Sequence, residues 1–138
     1  MAEKFSSSSK DILALIKHIR AKYYSAFKHA KIITLMRNGK WSKYGTISRV
    51  SEAQRKAGID ADYILTLSAT AWESFHTKQK KALVDHELAH MVLKETKKGT
   101  QYKLKHHDVE EFCAIVKRYG EWSPNLTRFR KAMNHKES

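Results

Sequence analysis

The chain is poor in the residues that staple or punctuate a fold. It has one cysteine, Cys113, among 138 residues. No intramolecular disulfide can form, and a reducing, cytoplasmic setting is expected. Cys113 lies in the apolar run "FCAIV", which reads as a small buried hydrophobe rather than a nucleophile or metal ligand. No apolar run approaches the roughly 18 residues of a membrane span, so no membrane association is expected. The opening "MAEKFSSSSKDILALIK" lacks an apolar core followed by a small-residue cleavage site, so a secretory signal is not expected. Acidic residues are scarce: 14 Asp and Glu face 27 Lys and Arg, a formal charge of +13. That balance favours polyanionic partners, non-specific nucleic acid first, against the plainer reading of a soluble basic surface. With 41% hydrophobic and 30% charged residues, the composition is that of a folded globule and excludes a disordered chain. The length suits one domain spanning 1–138.

The pattern of elements is α+β. Ser9 precedes Ile12, Leu13, Leu15, Ile16, Ile19, Tyr23 and Phe27, whose spacing predicts a capped amphipathic helix over about 10–28. "KIITLMR" is β-rich. Asn38-Gly39 is a hairpin turn pair, with "GTISRVS" as the returning strand. Ser51 and Gln54 form a capping box for a short helix closed by Gly58. "DYILTLS" alternates as a third strand. Thr77 is expected to cap a long, largely buried helix over about 78–94, and "YKLK" a short extended piece. Asp108 with Glu111 predicts a third helix over about 109–119, closed by Gly120. Ser123-Pro124 opens a last helix.

The chemistry concentrates in "ALVDHELAHMVLK", which holds His86-Glu87-Leu88-Ala89-His90. In a helix, residues four apart share a face, so His86 and His90 can converge on one metal. Glu87 lies to one side of that pair, where it can accept a proton from a water at the metal and pass it to a leaving amine. Two unpaired imidazoles would be costly to bury in so apolar a stretch, which argues against two idle surface histidines. A catalytic site needs a third protein ligand and an open position. "KLKHHDVEEF" offers His107, held at a helix start, with Glu110 and Glu111 as alternatives; His106 points elsewhere and Asp108 is read as a cap. His18, His29, His76 and His135 are isolated and are read as solvated or packed. Tyr102 and Tyr119 flank the third-ligand region and are read as packing residues before oxyanion donors.

"YILTLSATAWESFHTKQKKALVDHELAHMVLK" followed by "KHHDVEEFCAIVKRYGEW" resembles the putative phage metallopeptidase domain family, and is more remotely similar to SprT-like zincins. The resemblance implies His86 and His90 as the helix ligands, Glu87 as the catalytic glutamate, His107 as the third ligand, and Zn2+ as the metal. The sequence has "HD" where SprT-like proteins typically have "HG". The implied fold is a minimal zincin: a small, mostly antiparallel sheet of three to four strands packed on the motif helix, with further helices. The implied activity is peptide-bond hydrolysis on a protein or peptide substrate, in the host cytoplasm if the chain is phage-encoded. The competing reading is a non-catalytic, zinc-stabilised effector that binds a host protein or nucleic acid. Oligomeric state is not legible.

Overall fold

The computed structural model describes residues 4–105, 113–120 and 122. Four strands form one mixed sheet: β1 (Phe5–Ser7), β2 (Ile32–Arg37), β3 (Gly45–Arg49) and β4 (Tyr63–Ser68). The spatial order is β1-β2-β4-β3, with β2 parallel to β4 and the other two pairs antiparallel. The helices are α1 (Lys10–Tyr23), α2 (Glu52–Lys56), α3 (Ala69–Ser74), α4 (Thr77–Leu88) and α5 (Cys113–Tyr119). A separate hairpin, β5 (Met91–Thr96) and β6 (Gly99–Leu104), follows α4. The fold is the expected α+β class.

The strand "YILTLS" occupies an inner position because its alternation is the cleanest in the chain. Tyr63, Leu65 and Leu67 point to one face and are fully buried. Ile12, Ile16 and Ile19 of α1, and Ala82, Leu83, Val84 and Leu88 of α4, complete the same core. Each large apolar side chain buried there stabilises the fold by about 1.5–3 kcal/mol. β4 lies between β2 and β3, so the expected β2–β3 hairpin does not form. Gly39 does take a positive φ of 84°, but the turn ends a strand without pairing its flanks. The apolar face of β4 gains more from a central place than β2 and β3 gain from local contact.

Local signals set several ends. Ser9 caps α1, accepting from the Ile12 N–H. Ser51 and Gln54 form a capping box on α2. α1 stops at Tyr23, short of 28, because Tyr24 leaves helical geometry (φ −130°) and a 3-10 turn takes over 25–27. α4 is capped by His76, which forms a reciprocal box with Gln79; the cap is not Thr77.

α4 ends at Leu88 rather than 94. The Ala89 N–H still reaches the Asp85 carbonyl, but the His90 N–H reaches back only three residues to Glu87. The last turn therefore tightens and the helix stops. Met91 and Val92, read as helical apolar positions, belong to β5 instead. A short apolar run fits either period, and the turn decides here. Gly99 holds φ 117° after Lys97-Lys98, and the Thr96 hydroxyl donates to the Gly99 carbonyl at 2.8 Å. The hairpin is fastened to the sheet by the Tyr63 hydroxyl, which donates to the Lys103 carbonyl at 2.8 Å, and by Tyr102 packing on Tyr63 and Phe27. Among the described residues, no helix is long and apolar enough to cross a membrane.

Candidate metal centre

His86 and Glu87 occupy the last turn of α4, and His90 occupies the turn that leads into β5. One ligand atom from each of the three lies within 4.8 Å of the others. The His86 and His90 rings are 5.4 Å apart at 70°. His86 Nε2 is 3.7 Å from Glu87 Oε1, longer than a hydrogen bond, and both side chains are largely enclosed, at 12% and 6% exposure. The Trp122 ring packs against His86 at 5.9 Å, with Phe75 and Tyr44 behind it.

His90 is held by the hairpin. Its Nδ1 lies 2.6 Å from the Lys105 carbonyl, and the Lys105 N–H donates to the His90 carbonyl at 2.8 Å. A carbonyl oxygen can only accept, so Nδ1 carries the proton, and in the neutral imidazole the lone pair is then on Nε2. This is the usual arrangement of a metal-ligating histidine, in which a backbone acceptor fixes the tautomer and ring orientation. Two imidazoles and a carboxylate in one enclosed space form a donor set that fits a divalent cation of the nitrogen- and oxygen-binding kind. The end of α4 at Leu88 does not spoil the pair. The turn residues still carry His90 back to the His86 side.

Immediately before His86 stands a group that sequence reasoning missed. Asp85 is completely buried. Arg118 Nη1 lies 2.8 and 2.6 Å from its two carboxylate oxygens. Tyr119 donates to Oδ2 at 3.1 Å, and Tyr24 donates to Oδ1 in a short hydrogen bond. The Tyr23 ring covers the Arg118 guanidinium at 3.7 Å. Burial first, then the Asp85 carboxylate, push both phenols far above their ordinary value, so each remains a donor. The available signal was an ionisable residue at core spacing between Leu83 and Leu88. Such a residue demands a partner elsewhere in the chain.

The other residues fall as follows. Tyr102 is a packing residue on the hairpin, and Tyr119 serves Asp85. His18 and His29 are exposed, and His76 is a helix cap. His106, His107, Asp108, Glu110, Glu111 and His135 lie outside the described residues, as do the first part of the predicted third helix and the whole of the last. The described part of that third helix, α5, ends at Tyr119, and Gly120 takes φ 68°.

No curated protein and no solved structure gives a significant match to the chain. A family profile described as putative phage metallopeptidase matches residues 4–134. The match runs from β1 through both strand systems and the helix bearing His86 and Glu87, and continues past α5. That extent covers most of the chain, and the protein belongs to the putative phage metallopeptidase family.

Proposed function

We propose that this protein is a zinc-dependent endopeptidase in which His86, His90 and His107 hold the metal and Glu87 is the general base. One observation carries the reading. The Lys105 carbonyl holds the His90 ring through Nδ1, and one ligand atom each of His86, Glu87 and His90 lies within 4.8 Å of the others. The same contact brings the chain to the site two residues before His107, which supports His107 over Glu110 and Glu111.

When bound there, zinc would polarise a substrate carbonyl and lower the pKa of a water towards 7. Glu87 would accept that water's proton at its carboxylate and return it to the leaving amine. Burial of Glu87, and of His86 against Trp122, limits competing solvent at the proton-transfer atom. β3 is the strand for a substrate to join. Among the described residues it pairs with β4 alone, as an edge. It also lies close to α4: a side chain at Gly45 would have its Cβ 3.5 Å from Leu83 Cδ1. An extended peptide added to β3 would present its backbone beside the helix that bears Glu87.

The hairpin supports substrates that lie near nucleic acid. Its pairing register puts Lys94 and Lys103 on one face and Glu95 on the other. Lys97 and Lys98 are exposed at the tip. That face has lysines and no carboxylate, which suits a phosphate backbone read without sequence.

Metal analysis and proteolysis of the wild type beside His107→Ala and His106→Ala test the reading. One zinc per chain is expected, lost in His107→Ala and kept in His106→Ala. The reverse pattern would remove His107 from the site. An effector without catalysis would keep its biological effect in Glu87→Gln.

A further inference from the structure

Asp85 and the metal candidates share the last turn of one helix but face different parts of the protein. Successive helical residues are about 100° apart, so Asp85 lies roughly 100° round the axis from His86. Its carboxylate receives Tyr24 from the end of α1 and Arg118 and Tyr119 from α5. Three donors from two other helices thus meet on a single fully buried side chain. The described part of α5 opens at Cys113, six residues after His107 in the sequence.

We propose that Asp85 is the positioning residue of the metal centre: through Arg118, Tyr24 and Tyr119 it sets the rotation of the last turn of α4 and seats α5 against it. The argument is one of lever arms. Side-chain tips lie about 5–6 Å from a helix axis, so a rotation of ~10° moves a ligand atom by about 1 Å. Metal–ligand distances tolerate only about 0.2 Å. Apolar packing of Ala82, Leu83, Val84 and Leu88 resists rotation weakly, because such contacts are non-directional. A carboxylate bound by a guanidinium and two phenols is directional, and it adjoins His86. Tyr24 serves this purpose by leaving helical geometry at the end of α1, which frees its hydroxyl to reach Asp85 across 61 residues of sequence.

The inference rests on the metal-site reading above, and the test separates the two. Zinc affinity is measured by chelator competition on the full chain for wild type, Asp85→Asn and Tyr24→Phe. The visible spectrum of the Co2+-loaded proteins reports coordination geometry directly. A core variant outside the network, Leu65→Ala, serves as the stability control. Asp85→Asn should weaken zinc about 10- to 100-fold, as loss of a supporting contact typically does, and alter the Co2+ spectrum. Tyr24→Phe, the milder change, should weaken zinc in the same direction and keeps the test open if Asp85→Asn fails to fold. Leu65→Ala should lower the melting temperature yet leave affinity and spectrum near wild type. Equal zinc affinity in wild type and folded Asp85 or Tyr24 variants overturns the positioning role while the metal site stands. So does a Leu65→Ala variant that loses as much affinity as they do. A wild type that takes up no zinc overturns the site and this inference together.

Discussion

Asp85 and the His86–Glu87–His90 cluster share the end of α4 but face different parts of the protein, and the protein treats them in opposite ways. Asp85 is completed from within: Arg118, Tyr24 and Tyr119, all remote in sequence, bond both of its oxygens. The cluster instead brings one ligand atom from each of three residues within 4.8 Å of one another. His86 and Glu87 are 3.7 Å apart, and the Nδ1 side of His90 is held by the Lys105 carbonyl. A closed set of bonds gives rigidity, and a convergent set of lone pairs invites a cation. The difference teaches that a buried carboxylate in an H-E-x-x-H neighbourhood is read by its donors, because Asp85 and Glu87 are both nearly inaccessible.

The comparison breaks most sharply at Glu87. Glu87→Gln keeps the shape and removes the base, so proteolysis should fall by ~100- to 10,000-fold while metal content and melting temperature hold. His86→Ala, by contrast, should lose metal and activity together. Metal analysis alongside peptide-cleavage rates reads both.

At Asp85 the cost is to folding. Asp85→Ala strands the Arg118 guanidinium. It should destabilise the protein by about 3 kcal/mol, the low end for a broken buried pair, because the Arg118 side chain keeps 27% exposure and partial solvation. Urea denaturation of the metal-free protein measures it.

Removing the metal asks how far the cluster contributes to the fold. At a free zinc concentration of ~100 Kd, binding adds about 2.7 kcal/mol. For a chain of this size that corresponds to a melting temperature higher by roughly 5–11 °C. Chelation should abolish the difference, and the His86→Ala variant should show no chelator effect in calorimetry.

The smallest change sharpens the picture of the hub. Tyr119→Phe deletes one donor at 3.1 Å and leaves Arg118 and Tyr24 in place. A loss of about 1 kcal/mol is expected, well below that of Asp85→Ala. A loss as large as that of Asp85→Ala would mean that Tyr119, rather than Arg118, holds the carboxylate.

Much of the local structure was determined by the sequence alone. Ser9, and Ser51 with Gln54, start helices because their side chains satisfy backbone donors within three residues. Tyr63, Leu65 and Leu67 face inward because strand side chains alternate. His86 and His90 approach each other because only four residues, the last turn of α4 and the tightened turn after it, separate them. Each of these is an interaction within a few residues, and a short window contains all its terms.

Only the tertiary structure decided the rest. β4 sits between β2 and β3, despite the Asn38-Gly39 turn, because central burial outweighs local closure. α4 stops at Leu88 because Met91–Thr96 finds a partner in Gly99–Leu104. Asp85 is tolerated in the core because Tyr24, Arg118 and Tyr119 arrive from 61, 33 and 34 residues away. Those terms depend on which segments meet in space, so they become visible only once the chain has folded.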